Sequence, residues 1–273
     1  MTCIAAVFAP FPGADAASSS ARHASVSRVS RVVGPDPAAP FASRLRVVHS
    51  LSRNLSQADV QSLYAFLDRG NDDDPLPPNK LNALKNDVAN ALLRQKRTPR
   101  QFGPRLAAMH NDPEHDRVWR DYCIQFMPGC YFRGASPAER ELIEETLWKA
   151  AGKDWSIAGT ALISLRRLGD SIDQEKVARR GLEIATDEEA GEAARITALQ
   201  VCANAGLREV LPAARQIVVS EKPVPLRISA IGAVGLLGNF SDNEILGKYE
   251  YSSDTRLRTA CRAAIKRINS RRN

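Results

Sequence analysis

Apolar residues recur with a helical period along most of the chain after residue 55. One stretch shows the period clearly, because its apolar residues lie on one face of a 3.6-residue helix: Leu207, Val210, Leu211, Ala214, Ile217 and Val218. No stretch alternates apolar and polar residues for long enough to predict a β-sheet. The pattern therefore predicts an all-α protein in which every helix has one face to bury.

The helical segments pair in chain order into about six hairpins, each made of a first helix, a turn and a second helix. Ser56 is a favourable N-cap for the first of them, and Ser136 puts Pro137 at a first helical position. Ser241 or Asp242 opens the last short helix. The predicted pairs are Gln57 to Asp68 with Asn79 to Gln95, Gln101 to His110 with Asp116 to Met127, Pro137 to Ala151 with Trp155 to Leu168, Gln174 to Thr186 with Glu189 to Ala205, Leu207 to Val219 with Val224 to Leu237, and Asp242 to Tyr249 with Thr255 to Asn269.

One motif recurs in the last three second helices. It is an arginine followed three residues later by Ala or Cys, and its three copies start at Arg195, Arg227 and Arg258, with spacings of 32 and 31 residues. That spacing is typical of stacked helical hairpins. Eleven residues after each arginine stands a residue that favours the left-handed conformation of a helix end, so we expect all three helices to end in the same way. These residues are Gly206, Gly238 and Asn269.

Weaker copies of the motif extend towards the N-terminus. Ala158 stands where the later copies have arginine, 37 residues before Arg195, and Arg120 or Trp119 holds the same place in a copy that begins near Asp112. Terminal repeats commonly depart from the pattern because they also cap the stack.

From about Asp112 to the C-terminus the segments resemble HEAT-type repeats. The family pattern is an acidic turn before a second helix that is rich in small residues and has Arg near its start. The resemblance implies an all-α, right-handed α-solenoid over residues 51–273, with the second helices lining a concave surface. It also implies that the arginine and the turn acid link neighbouring repeats. The candidate turn acids are Asp187 or Glu189, Glu221 and Asp254.

Residues 1–50 differ in composition from the rest of the chain. They are rich in Ala, Ser, Pro and Arg and have no helical stripe, so we predict a disordered tail. Cys3 to Phe11 with the small residues at 14 and 16 makes residues 1–16 a candidate export signal, although no Lys or Arg precedes the apolar run. Cytoplasmic and exported locations therefore both stay open. No apolar stretch is long enough to predict a membrane span.

The net charge of +7 is concentrated at the two ends of the chain. The last helix and the tail both carry excess arginine, whereas residues 56–254 are mildly acidic. A candidate basic interaction patch in the last helix would support weak, non-specific nucleic-acid binding, unless it is only the solvated face of a capping helix. The patch consists of Arg256, Arg258, Arg262, Lys266 and Arg267.

The sequence offers little reactive chemistry. We expect Cys202 and Cys261 to be buried as small apolar residues. Pro128 and Gly129 are expected to break a helix between Cys123 and Cys130, which would bring the two thiols together; whether they form a disulfide depends on the compartment. We predict that Trp119, Trp148 and Trp155 belong to the core between repeats.

One cluster combines side chains that can bind a divalent cation: His110, Asp112, Glu114, His115 and Asp116. Its histidines are five residues apart across a proline, so they do not share one helical face. The acids also suit a turn and a helix N-terminus. We therefore predict no metal ligand here, and we assign no catalytic residue and no cofactor.

The architecture implied by the resemblance favours a function in binding. Our leading hypothesis is a non-catalytic scaffold that presents a concave helical surface to an unknown protein or peptide. One alternative is a nucleic-acid-binding protein similar to the HEAT-like DNA glycosylases. Another is a pigment lyase or chaperone similar to the HEAT-like phycobilin lyases.

Overall fold

The computed structural model describes residues 28–34, 40–153 and 155–271. Within these ranges the chain forms fourteen α-helices and no β-strand, which confirms the predicted all-α solenoid. Three short 3-10 turns, at Asn71–Asp73, Gly169–Ser171 and Arg208–Val210, connect some of the helices. The helices are α1 Ser30–Val33, α2 Phe41–His49, α3 Gln57–Leu67, α4 Pro78–Leu93, α5 Phe102–Asn111, α6 Arg117–Phe132, α7 Pro137–Lys153, α8 Trp155–Arg167, α9 Gln174–Thr186, α10 Glu192–Asn204, α11 Leu211–Val219, α12 Val224–Leu237, α13 Asp242–Gly247 and α14 Thr255–Ser270.

The helices form two layers. The even-numbered helices α2 to α14 stack one on the next, and each odd-numbered helix packs against the even-numbered helix that follows it. Small residues allow the even-numbered helices to approach closely: a Cβ added to Gly235 of α12 would lie 2.8 Å from the Cβ of Ala264 on α14. The even-numbered helices therefore form one continuous layer, and we call the face of this layer that points away from the odd-numbered helices the inner face.

The N-terminal boundary of the solenoid lies earlier than we predicted. We expected a disordered tail up to residue 50, but α1 and α2 form a further hairpin that packs on α3 and α4. Arg44 of α2 is buried and makes a bidentate ion pair with the buried Asp74, both distances being 2.7 Å, and donates to the carbonyl of Val32 at 2.8 Å. The candidate export signal at 1–16 lies outside the described residues.

Helix α6 is continuous through Pro128, so the predicted break is wrong. Proline lacks the N–H that would bond to the carbonyl of Ile124, four residues earlier. The Ser164 hydroxyl of α8 donates to that carbonyl at 3.1 Å and so supplies the missing bond. Cys123 and Cys130 consequently lie on one helix as free, buried thiols.

The three helices with the arginine motif end in different ways. Gly206, after α10, has φ +76 and adopts the predicted left-handed conformation. Gly238, after α12, has φ −69 and ψ 178, which is extended backbone. Asn269 lies inside α14. The prediction of one common helix end is therefore confirmed for Gly206 alone.

The repeat arginines cap the first helix of their own hairpin. Arg195 donates to the carbonyl of Ala185 at 3.3 Å, and Arg227 donates to that of Val218 at 3.1 Å. These carbonyls lie in the last turns of α9 and α11, where no helical N–H can reach them. The same contact joins Arg120 to the carbonyl of His110 in α5, whereas Arg258 donates to the carbonyl of Ser252 in the turn between α13 and α14.

The α7–α8 hairpin has no repeat arginine and receives the same kind of cap from its neighbour. Where α8 has Ala158, Arg180 of α9 donates to the carbonyls of Ala151 and Gly152 at 2.9 and 3.1 Å. These carbonyls lie in the last turn of α7. The Arg180 side chain of the next hairpin therefore takes the place of the repeat arginine that α8 lacks, and it links the two repeats.

Candidate functional site

Two adjoining cavities lie on the inner face of the solenoid, where α8, α10, α12 and α14 meet. The first has a volume of about 310 Å³ and the second about 300 Å³, and Gln200 and Asn204 of α10 line both. We call the two together the arginine-lined groove. The first cavity is also lined by Ile163, Arg166, Arg167, Thr197 and Val201. The second is also lined by Ile196, Ala203, Pro225, Ile228, Ser229, Gly232, Ala233, Leu236 and Arg267.

The charge of the groove is positive. Arg166 and Arg167 line the first cavity and Arg267 lines the second, and no described lining residue of either cavity is an acid. Charges in a concave site reinforce one another because the protein walls exclude part of the solvent. The groove is therefore suited to an anionic group.

Two of the arginines are held by neighbouring groups. Arg166 donates to the side-chain oxygen of Gln174 at 2.7 Å, and Arg167 donates to the carbonyl of Gln125 at 3.3 Å. The side chain of Arg267 makes no hydrogen bond or ion pair with any residue that the structure describes. Its guanidinium thus retains its full hydrogen-bonding capacity for a ligand.

The remaining lining is neutral and partly apolar. The side-chain amides of Gln200 and Asn204 are exposed and make no hydrogen bond to described residues. Ile163 and Leu236 are 49% and 37% exposed, which is high for large apolar side chains. A ligand that covered them would gain from the burial of apolar surface.

The structure disperses the predicted basic patch. Arg256 pairs with the N-cap Asp254 at 3.0 Å, and Arg258 caps the turn before α14. Arg262 lies over the ring of Tyr251, 5.8 Å from its centroid. Lys266 is exposed without a partner among the described residues, and only Arg267 reaches the arginine-lined groove.

The candidate metal cluster is engaged in structural contacts. His110 is hydrogen-bonded through Nδ1 to the carbonyl of Arg120 at 3.1 Å, and Asp116 caps α6 through the N–H of Val118 at 2.8 Å. His115 points to Asp68 of α3, at 3.4 Å. The described residues contain no group of three or more His, Cys, Asp or Glu side chains placed to hold a metal ion.

A buried polar cluster lies between α4 and α6. Lys85 is 2% exposed, donates to the carbonyl of Arg69 and lies 5.3 Å from the centroid of the Trp119 ring. Asn82 donates to Asp116 at 2.7 Å. Burial lowers the pKa of Lys85 to about 8, although the nearby carboxylates of Asp68 and Asp116 oppose the shift. The cluster is enclosed by protein and is not part of the groove.

The described cysteines are not activated. Burial raises the pKa of Cys130 and Cys202 to about 12 and that of Cys261 to about 11, and it raises the pKa of Cys123 as well. The thiols are therefore protonated at neutral pH, whereas nucleophilic chemistry needs the thiolate. Cys202 and Cys261 are buried as the sequence predicted.

The predicted aromatic core is present in the described part of the chain. Trp119 is fully buried, and Trp148 is partly buried beneath Lys176, whose Nζ lies 4.7 Å from the ring centroid. The side chain of Trp155 lies outside the described residues. None of the described helices is long and apolar enough to span a membrane.

Comparison with known proteins finds similar solved structures but no similar sequence. No family model matches the chain, and no curated protein matches it. A solved structure of human deoxyhypusine hydroxylase in complex with glycerol matches at 16% sequence identity with a TM-score of 0.38. The match covers 90% of this chain and 96% of that one.

This match corrects our prediction of function. We predicted a non-catalytic scaffold because a helical-repeat architecture implies binding and no reaction. The matching structure is, by its name, that of an enzyme. A non-catalytic role therefore does not follow from the architecture, and the prediction is wrong. The likeness assigns no activity to this chain.

The arginine-lined groove was not predicted from the sequence. We attributed the basic character of the chain to its ends and assigned Arg267 to a terminal patch. The signal that was available is the pair Arg166–Arg167 in the last turn of α8, followed by Gly169. The two arginines form part of a groove only because α10 and α12 supply most of the remaining lining.

Proposed function

We propose that this chain is a HEAT-like repeat protein that binds an organic anion with an apolar body in the arginine-lined groove. The observation that carries the proposal is the composition of the lining. Three arginines surround exposed apolar residues and free amides, and no acid stands among the described lining residues. Arg267 supports the proposal most directly, because it has no partner among the described residues and an anion would supply one.

The size of the groove supports a small organic ligand. Each cavity is at the lower end of the range of about 300–1,000 Å³ that is usual for small-molecule sites, and the two adjoin. Apolar walls with a few polar groups are also typical of such sites. Ile163 and Leu236 would contact the apolar body, and the arginines would orient the anionic group.

The proposal is tested with two fluorescent probes that share one apolar frame. 1-Anilinonaphthalene-8-sulfonate carries an anionic group, and N-phenyl-1-naphthylamine carries none. We expect the sulfonate to bind more tightly to the wild-type protein. Arg267→Gln should weaken its binding about tenfold, as expected for the loss of a charge-assisted hydrogen bond, and leave the neutral probe unaffected.

Two further variants make the test specific. Lys266→Gln removes the same charge from the neighbouring exposed residue of α14, which does not line the groove, so sulfonate binding should stay within about twofold of wild type. Gly232→Leu projects a side chain into the second cavity, where a Cβ meets nothing within 4 Å. It should fold, because leucine favours helix more than glycine does, and should lose both probes. Equal effects of Arg267→Gln and Lys266→Gln, or full binding to Gly232→Leu, would refute the proposal.

A further inference from the structure

We infer that the ligand of the arginine-lined groove is an extended molecule with an anionic group at each end, an inference that rests on the proposed function. The cations lie at opposite ends of the groove. Arg166 and Arg167 of α8 line only the first cavity, and Arg267 of α14 lines only the second. A ligand with a single anionic group would leave one end of the groove without its counter-charge.

The middle of the groove is uncharged. The two residues that line both cavities are Gln200 and Asn204, which lie four residues apart on one face of α10. Their amides can donate and accept hydrogen bonds but offer no net charge to a ligand. The charge along the groove is therefore arranged as positive, neutral and positive.

The walls between the charged ends provide apolar contacts. Ile163 stands in the first cavity, and Ile228 and Leu236 stand in the second. Apolar contacts along the groove favour a ligand whose anionic groups are joined by a hydrocarbon chain, because the burial of that chain is itself favourable. A compact dianion such as free phosphate would reach neither the walls nor both ends.

The spacing of the helices sets the length of such a ligand. Three helix-to-helix steps separate α8 from α14, which puts their axes roughly 24–30 Å apart at 8–10 Å for each step. Arg167 is held on the α6 side of α8 by the carbonyl of Gln125, so the anionic groups of a ligand that reaches both ends should be roughly 24–30 Å apart. The ligand class is thus an α,ω-dianion with a long apolar chain.

The test compares straight-chain α,ω-dicarboxylates with their monomethyl esters by isothermal titration calorimetry on the full-length chain. The series runs from about eight to about twenty-four carbons, so that its longest members reach the expected span. At the matching length the dicarboxylate should bind about tenfold more tightly than its monoester, because only the diacid engages both ends. Arg167→Gln and Arg267→Gln should each abolish that preference, while Lys266→Gln should keep it.

The outcomes separate this inference from the proposed function. If diacid and monoester bind equally well and Arg267→Gln weakens both, the groove binds anions but the two-ended ligand is wrong. If no member of the series binds, the inference is likewise overturned, while the naphthalene sulfonate tests the groove independently. Circular dichroism and the melting temperature of each variant establish that the fold is retained.

Discussion

Position 238 requires glycine because neighbouring atoms leave no room for a Cβ, and not because of its backbone conformation. A Cβ at this position would lie 2.4 Å from Oδ2 of Asp242 and 2.5 Å from the carbonyl of Val234. The Asp242 carboxylate is buried and cannot move aside, because Arg215 holds it through contacts of 2.7 and 3.1 Å. The glycine was predicted from its spacing, but the reason for it is steric.

We expect Gly238→Ala to lower the free energy of unfolding by about 1–3 kcal/mol, as overpacking does in a rigid site. The matched control is Gly232→Ala inside α12, the helix that Gly238 ends, because a Cβ at position 232 meets nothing within 4 Å. That change should raise stability by about 0.5–1 kcal/mol, because alanine favours helix more than glycine does. Urea denaturation measures both, and similar effects of the two substitutions would contradict the steric explanation.

Lys85 is a buried cation whose charge the fold disfavours. Its pKa is lowered from the ordinary lysine value of 10.5 to about 8, mainly by burial. Below pH 8 the folded and unfolded chains both carry the proton, and the charged side chain reduces stability. Between pH 8 and 10.5 the folded chain releases the proton while the unfolded chain retains it, so this residue's contribution to stability rises with pH.

We expect Lys85→Met to remove this dependence of stability on pH. The free energy of unfolding of the wild type, minus that of Lys85→Met, should increase by about 3 kcal/mol from pH 8 to pH 10.5. The buried thiols shift in the opposite sense, but they are present in both proteins and largely cancel in the difference. Denaturation at several pH values measures it, and parallel curves for the two proteins would show that Lys85 does not titrate in this range.

At the scale of the elements, α6 depends on α8 for one backbone hydrogen bond. Pro128 leaves the carbonyl of Ile124 without its helical donor, and the Ser164 hydroxyl takes that place. A buried carbonyl without a partner is costly. This contact therefore joins two hairpins of the solenoid at the point where α6 would otherwise be weakest.

Ser164→Ala should lower the free energy of unfolding by about 1–3 kcal/mol, because it leaves a buried acceptor unsatisfied. In a Pro128→Ala background the same change should cost much less, since the alanine N–H restores the helical bond. Ser229→Ala is the matched control: Ser229 of α12 donates to the carbonyl of Ile196 at 2.9 Å, but that carbonyl keeps its own donor within α10. A full double-mutant cycle measures the coupling, and additive effects of the two changes would disprove it.

At the scale of the whole molecule, the stacked hairpins bring distant parts of the chain to one surface. The arginine-lined groove takes Arg166 from α8, Gln200 from α10, Ile228 from α12 and Arg267 from α14, so four hairpins contribute to it. Each hairpin contributes only a few side chains. The net charge of a chain segment therefore says little about the charge of one face: Arg166 and Arg167 belong to the mildly acidic segment, yet they line a positive groove.

The local features of the helices were predictable from the sequence. The bounds predicted for α9 and α12 agree with the structure, and Ser56 caps α3 as expected through the N–H of Asp59 at 3.1 Å. Periodicity, N-caps and helix-initiating prolines act over a few residues, so the sequence alone determines them. The repeat arginines were likewise recognised by their spacing.

The contacts between residues that are distant in the chain could be read only from the three-dimensional packing. Arg44 joins Asp74 and so brings α2 into the solenoid, Arg180 replaces the arginine that α8 lacks, and Ser164 compensates for Pro128. The arginine-lined groove belongs to the same class, because none of its helices forms it alone. In each case the contribution of a side chain to stability or binding depends on a partner whose position is set by the stacking of hairpins. The spacing of residues in the sequence does not identify that partner.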